Sequence, residues 1–192
     1  MSIRLVVFLG NPGTEYRSTR HNAGWMLLGR LPGVDSVAWQ KKFKGTIGEL
    51  SVPTESGARK ILLLRPETYM NLSGESVQPA LAYYKIDPRE TVVVHDEIEL
   101  PFGMVSIRLG GGLGGHNGLR SIAALLGTND FGRLRIGVGR PEHGSVSSYV
   151  LGRFAPDEEP QLDRLFAGSA DILLEVFRGA SVPARARTSQ LL

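Results

Sequence analysis

Short apolar segments bounded by glycine, proline or aspartate constrain the fold of this chain more than any other feature. Their length and their Val, Ile and Leu content are typical of buried or half-buried strands: Ile3–Leu9, Gly45–Val52, Lys60–Leu64, Thr91–His95, Met104–Leu109 and Leu134–Val138. Helical patterns lie between them, from about Asn22 to Pro32, Ser73 to Lys85, Leu119 to Leu126 and Asp157 to Phe177. Strands that alternate with helices predict an α/β protein.

The predicted fold is a single three-layer α/β domain, with a central mixed β-sheet flanked by helices. A chain of 192 residues suits one core. Gly45–Val52 and Lys60–Leu64 adjoin across a Pro/Ser/Gly link, which predicts an antiparallel hairpin and makes the sheet mixed. We expect the domain to cover residues 1–180 and a flexible tail to follow over 181–192, where periodicity ends.

The composition argues against several classes of protein. There is no cysteine, which excludes disulfides, thiolate catalysis and thiolate metal sites. The four histidines form no H-x-x-x-H or H-E-x-x-H pattern, so we expect no metal. No apolar stretch approaches the ~20 residues of a membrane helix, and the apolar run near the N-terminus is too short for a signal peptide. We therefore expect a cytoplasmic protein with no membrane partner.

Charge is unevenly distributed along the chain, whose net charge is +3. Residues 1–60 hold nine Lys/Arg against four Asp/Glu, and residues 101–153 hold six Arg against two acids. Residues 61–100 hold three basic groups against seven acidic ones. The two basic segments would form a phosphate-binding face only if the fold brings them together.

Polar residues gather where predicted strands end. Asn11 follows the first strand, the segment 65–71 follows Lys60–Leu64, and Asp96 follows Thr91–His95. Ligands of α/β proteins usually bind at the carboxyl ends of the strands. These three segments are therefore candidates for one shared site.

His21 and Asp96 are the candidates for acid–base chemistry. Histidine readily exchanges a proton near neutral pH, although a single histidine at a helix start is more often bonded to backbone. Asp96 either caps a turn or holds a histidine in one tautomer and stabilises its protonated form. Because the chain has no cysteine and no G-x-S-x-G elbow, a His–Asp pair would activate water.

Amide side chains and a glycine-rich loop are further candidates. Asn11, Asn71 and Asn117 lie at loop or helix-start positions, where they either cap backbone or hold a carbonyl, a water or an oxyanion. The glycine-rich run 110–118 favours mobility or close approach of a ligand. It has neither the Gly-Lys-Ser/Thr of a Walker A motif nor a dinucleotide fingerprint.

Four segments together resemble bacterial-type peptidyl-tRNA hydrolase: GNPGTEYRSTRHNAGW, RPETYMNLSG, HDEIELPFG…GGGLGGHNGL and FGRLRIGVGRP. The likeness spans about residues 3–155. It implies an α/β enzyme that hydrolyses the ester between a peptide and the 3′ end of tRNA, freeing tRNA for translation. It also implies a monomer that binds the acceptor stem and 3′ end of peptidyl-tRNA and needs no cofactor or metal.

The resemblance implies a role for each matching residue. His21 matches the catalytic histidine, Asp96 the carboxylate that supports it, and Asn11 the asparagine that separates peptidyl from free aminoacyl substrates. The remaining matches would contact the tRNA end or the peptide (Tyr16, Tyr69, Asn71, Asn117), line the site (Met70, His116) or hold tRNA phosphates (Arg108, Arg135).

The chain departs from the family pattern at Leu113, at Pro79 and in a short segment over 29–37. Two other functions remain open from the residues. A non-enzymatic RNA-binding relative would not require the acid–base pair, and a nucleotide- or dinucleotide-binding oxidoreductase would need a phosphate fingerprint. The sequence therefore favours an ester hydrolase in which neutral His21 takes a proton from water and Asp96 stabilises the resulting imidazolium.

Overall fold

A mixed eight-stranded sheet forms the centre of the computed structural model, which describes residues 2–55 and 57–192. The strands are β1 (Leu5–Phe8), β2 (Gln40–Lys42), β3 (Gly45–Thr54), β4 (Gly57–Pro66), β5 (Thr91–Glu97), β6 (Met104–Leu109), β7 (Gly132–Gly137) and β8 (Arg187–Gln190). Their order is β2-β3-β4-β1-β5-β7-β6-β8. The central strands β4, β1, β5 and β7 are parallel, and the outer strands pair antiparallel.

Helices cover both faces of this sheet. The helices are α1 (Ala23–Leu28), α2 (Gly74–Tyr84), α3 (Asn117–Leu126), α4 (Val146–Val150) and α5 (Leu162–Phe177). Because strand side chains alternate between faces, Phe8 joins a core with α1 and α5, while its neighbour Val7 joins a second core with α2 and α3. The predicted three-layer α/β architecture is confirmed.

The predicted hairpin is also confirmed, since β3 and β4 pair antiparallel with Leu50 opposite Ile61. In its link, Ser56 lies outside the described residues. Pro79 does not interrupt α2. It removes only the bond to the carbonyl of Glu75, in the first turn, while the apolar face of the helix stays packed. α3 ends where predicted, at Gly127 with φ of 70°.

The predicted flexible tail differs from the structure. Residues Arg187–Gln190 form β8, which pairs antiparallel with the outer edge of β6. The backbone N–H of Leu191 donates to Gly103 O at 2.9 Å. Main-chain hydrogen bonds to β6 stabilise this strand. Its sequence is exposed and polar, without the apolar alternation that would have predicted a strand.

Parallel pairing brings the ends of three strands to one edge of the sheet. Val7 on β1 is in register with Leu64 on β4 and with Val93 on β5. Asn11, the segment after Pro66 and Asp96 therefore lie side by side, as the sequence predicts. None of the helices in the described ranges is both long and apolar enough to cross a membrane.

Candidate active site

A cavity of about 520 Å³ opens at this edge of the sheet. It is lined by nine of the residues singled out in the sequence: Asn11, Tyr16, His21, Tyr69, Met70, Asn71, Asp96, His116 and Asn117. Tyr69 is 57% exposed, and Asp96 at the floor is 2% exposed. The structure thus brings together residues from four separate stretches of chain.

His21 lies in a 3-10 turn, Arg20–Asn22, immediately before α1. Its Nδ1 is 2.9 Å from Asp96 Oδ1. A carboxylate only accepts hydrogen bonds, so Nδ1 must carry the proton that is donated. Nε2 of neutral His21 is then left with its lone pair, which is the state that a general base requires.

His116 donates to the same carboxylate oxygen as His21. It is the N-cap of α3, and its Nδ1 accepts from the backbone N–H of Gly118 at 3.1 Å and of Leu119 at 3.4 Å. The proton must therefore lie on Nε2, which is 2.9 Å from Asp96 Oδ1. His116 is thus fixed as a neutral donor that ties α3 to the histidine–carboxylate pair.

These two contacts keep the carboxyl group of Asp96 ionised. Burial alone raises the pKa of a carboxyl group, but the nearby imidazoles of His21 and His116 and their hydrogen bonds outweigh it. The pKa of Asp96 consequently lies well below its ordinary range. The carboxylate is therefore ionised at neutral pH and accepts both hydrogen bonds.

His95 is buried beside this group without lining the cavity. Its Nδ1 donates to the backbone carbonyl of Asp96 at 2.6 Å, and its ring packs edge-on against His116 with centroids 4.9 Å apart. Burial, reinforced by His116, lowers the pKa of His95 well below its ordinary value. His95 is therefore neutral near pH 7, with no partner for its buried Nε2 among the described residues.

His21, Asp96 and His116 are residue types that also bind metals, and their ligand atoms lie within 4.8 Å of one another. The hydrogen bonds oppose that use. The Nε2 of His116 carries a proton because its Nδ1 lone pair serves the N-cap of α3. A metal ion at Nε2 would displace this proton and break either the cap or the neutral state of the ring.

Asn11 is oriented by two contacts of different kinds. Its Oδ1 accepts from the backbone N–H of Met70 at 2.7 Å, so its side-chain amide nitrogen is left as a donor on the cavity wall. Its backbone is held by the side chain of fully buried Asn22, which accepts from Asn11 N at 2.9 Å and donates to Asn11 O at 3.0 Å. Sequence reasoning did not single out Asn22, although it directly follows His21.

Arg108 and Arg135 do not line the cavity. The Nε of Arg135 donates to Glu97 Oε2 at 2.9 Å, so its charge is already balanced. Within residues 2–55 and 57–192, Arg108 has no ion pair. Arg108 and Arg135 lie on the same face of the β6–β7 pair and form one basic surface. Of these two charges, only that of Arg108 is not balanced by a carboxylate among the described residues.

Sequence reasoning missed one wall of the cavity. It contains Glu97, the last residue of β5, and Ile98, which follows it. The apolar side chains of Val146 and Val150 on α4, and of Leu151 after it, complete this wall. A helix of five residues gives too short a pattern to predict. Glu97 follows Asp96 directly, and its place at a strand end was the signal available.

Fold and site together define an α/β protein with a histidine–carboxylate acid–base centre at the carboxyl edge of a mixed sheet. The family model for peptidyl-tRNA hydrolase matches residues 5–190. The chain belongs to this family.

Relatives support the assignment along nearly the whole chain. A peptidyl-tRNA hydrolase of Treponema pallidum is 49% identical over 178 residues, 92% of this chain and 88% of that protein. One of Geotalea daltonii is 46% identical over 174 residues, 90% of this chain and 89% of the relative. The crystal structure of peptidyl-tRNA hydrolase from Acinetobacter baumannii superposes with a TM-score of 0.76 at 34% identity, covering 93% of this chain and 96% of that one.

Proposed function

We propose that this protein hydrolyses the ester bond between a peptide, or an N-blocked aminoacyl group, and the 3′ end of tRNA. The observation that carries the proposal is His21, whose Nδ1–H donates to Asp96 and whose Nε2 is left to accept a proton in a cavity lined by amides and tyrosines. Family membership supplies the substrate class.

His21 acts as general base in the first step. A water molecule attacks the ester carbonyl carbon while its proton passes to His21 Nε2, giving a tetrahedral intermediate and an imidazolium. Asp96 stabilises that imidazolium through Nδ1. When the intermediate collapses, the bond to the terminal ribose oxygen breaks and His21 Nε2 returns its proton to that oxygen. The products are tRNA with a free terminal hydroxyl and a peptide with a free carboxyl group, which then releases its remaining proton to water.

The amide side chains position the reacting groups. Asn11 presents its amide nitrogen because Met70 occupies its oxygen, which suits it to bind a carbonyl of the peptide. Asn71 and Asn117 lie on the rim of the cavity, where they hold water and substrate or donate to the developing oxyanion. Tyr69, which is 57% exposed, is available to stack on a terminal base, and Tyr16 also lines the cavity.

The β6–β7 surface is proposed to hold phosphates of the acceptor stem, chiefly through Arg108. The apolar side chains Val146, Val150 and Leu151 at α4 line the cavity and suit peptide side chains. The protein would act as a cytoplasmic monomer that returns tRNA to translation.

Single-turnover hydrolysis of N-blocked aminoacyl-tRNA tests the proposal. We expect His21→Ala to lose hydrolysis by about 10²–10⁴-fold, because the general base is removed, and to bind tRNA as the wild type does. His143→Ala is the matched control, since His143 is exposed and lies outside the cavity. Wild-type chemistry in His21→Ala with intact tRNA binding would refute the assignment.

A further inference from the structure

We propose that Arg133 is a positioning residue, which fixes the glycine-rich loop 110–116 so that its far end delivers His116 and Asn117 to the active site. This inference rests on the proposed function. Arg133 lies on β7 and lines no part of the cavity. It acts on the reaction through the loop and touches neither substrate nor the reacting atoms.

Two backbone carbonyls of the loop accept from the guanidinium of Arg133. Nη1 donates to Gly112 O at 2.5 Å, and Nη2 donates to Gly110 O. Between them, Gly111 has φ of 92°, and a Cβ there would fall 2.5 Å from Arg108 Nη2 and 2.9 Å from Arg133 Nη2. The chain therefore curls directly over the two guanidinium groups, at a position that only glycine fits.

Burial of the Arg133 guanidinium destabilises the folded state. Arg133 is 2% exposed and has no carboxylate partner among the described residues, and it lies directly opposite Arg108 across the β6–β7 pair. Like charges in directly opposite positions destabilise a sheet. Burial, followed by the charges of Arg108 and Arg135, lowers the pKa of Arg133 to about 10, so it still carries its charge at neutral pH. If Arg133 only filled space in the core, an apolar side chain of similar volume would leave the folded state equally stable.

The far end of the same loop enters the site. Gly114 and Gly115 line the cavity, His116 donates to Asp96, and Asn117 begins α3. Leu113 packs against the α2–α3 core, and its carbonyl accepts from His116 N at 3.0 Å. Arg133 thus holds the entry of the loop, Leu113 its middle and Asp96 its exit.

The test combines turnover with exchange of backbone amide hydrogens for deuterium. In Arg133→Gln we expect faster exchange over residues 111–116 in the free protein and a 10- to 100-fold lower kcat, with KM within about twofold, because misplacement by about 1 Å can cost that much. Arg133→Lys keeps the charge but spans only one carbonyl, so it should recover part of kcat.

Arg59→Gln is the matched control. Arg59 also donates to two backbone carbonyls, of Phe177 at 3.1 Å and Ile3 at 2.7 Å, but at the opposite edge of the sheet. It should lower the melting temperature comparably and leave kcat of the folded protein unchanged. Unchanged loop exchange in Arg133→Gln, or a wild-type kcat in its folded fraction, overturns the role of Arg133. If the wild type itself fails to hydrolyse the ester, the proposed function falls while the exchange measurement still decides whether Arg133 holds the loop.

Discussion

One carboxylate oxygen, Oδ1 of Asp96, accepts from two imidazoles, and this sharing sets the tautomer of both. His21 is left with a free Nε2, whereas the second nitrogen of His116 serves a helix cap. Two histidines beside one acid therefore have different tasks. The difference comes from what the remote nitrogen of each ring contacts, and not from the residue type.

Asp96→Asn tests the electrostatic part of this arrangement. The amide oxygen can still accept from the imidazoles, but it carries no charge to stabilise the His21 imidazolium, so we expect kcat/KM to fall about 10²–10⁴-fold. Asp171→Asn, an exposed change on α5, should keep the wild-type rate. A kcat/KM for Asp96→Asn within threefold of the wild type would contradict this role.

His95 predicts a pH dependence of folding stability. Its folded-state pKa is lowered by burial, so between that value and its unfolded pKa of about 6.5 only the unfolded chain binds the proton. The stability is therefore complete above about pH 6.5 and declines as the pH falls below it. His95→Asn keeps a donor near the carbonyl of Asp96 but does not titrate.

Urea denaturation between pH 5 and pH 8 measures this effect. Below pH 6.5 the free energy of unfolding of His95→Asn should fall less steeply with falling pH than that of the wild type. The two slopes should differ by at most the amount that corresponds to about one proton bound on unfolding. The two proteins differ at His95 alone, so the difference between their pH profiles isolates His95 together with its contact to His116. Parallel pH profiles would show that His95 does not contribute.

At the scale of elements, the strength of the local pattern decided what the sequence could predict. Met104–Leu109 was predicted with its observed bounds, and α3 was predicted to within two residues of its start. The elements that escaped prediction are short or polar: β2 has three residues, α4 has five, and β8 is largely exposed. β8 is held by pairing with β6, which is remote in the chain, and β2 by pairing with β3. Elements as short as β2 and α4, or as polar as β8, leave no periodicity from which to predict them.

Truncation after residue 186 tests whether the tail is docked. It removes β8 and the contacts of Leu191 with Gly168 and of Leu192 with Gly103. We expect the free energy of unfolding, measured with urea, to fall by about 1–3 kcal/mol. Arg187→Gln, which removes only an exposed ion pair with Glu175, should change it by less than about 1 kcal/mol. A truncated chain as stable as the full one would restore the predicted flexible tail.

At the scale of the whole molecule, the basic surface on β6 and β7 lies beside the catalytic cavity and outside it. Both arginines that define this surface come from the basic segment 101–153. Arg135 is balanced by Glu97, which lines the cavity, whereas Arg108 is not paired in the described part of the chain. Binding of a polyanion should therefore depend more on Arg108.

Salt dependence separates the two arginines. Arg108→Gln should reduce the slope of log(kcat/KM) against log salt concentration by about one, because one phosphate contact is lost. Arg135→Gln should reduce this slope less, since the charge of that guanidinium is already balanced by Glu97. The slope for Arg164→Gln, on the exposed side of α5, serves as reference. A larger change for Arg135→Gln than for Arg108→Gln would reverse this assignment.

The sequence by itself determined the α/β class, the mixed sheet and the identity of most cavity residues. Periodicity and strand-end residues are local properties, and the family resemblance named His21, Asp96 and the asparagines. Only the tertiary structure decided which imidazole nitrogen carries each proton, which arginine is paired, and that β8 forms one edge of the sheet. These facts depend on contacts between residues far apart in the chain, such as His21 and Asp96. The parallel register of β1 with β5 sets such distances, and no local pattern encodes them.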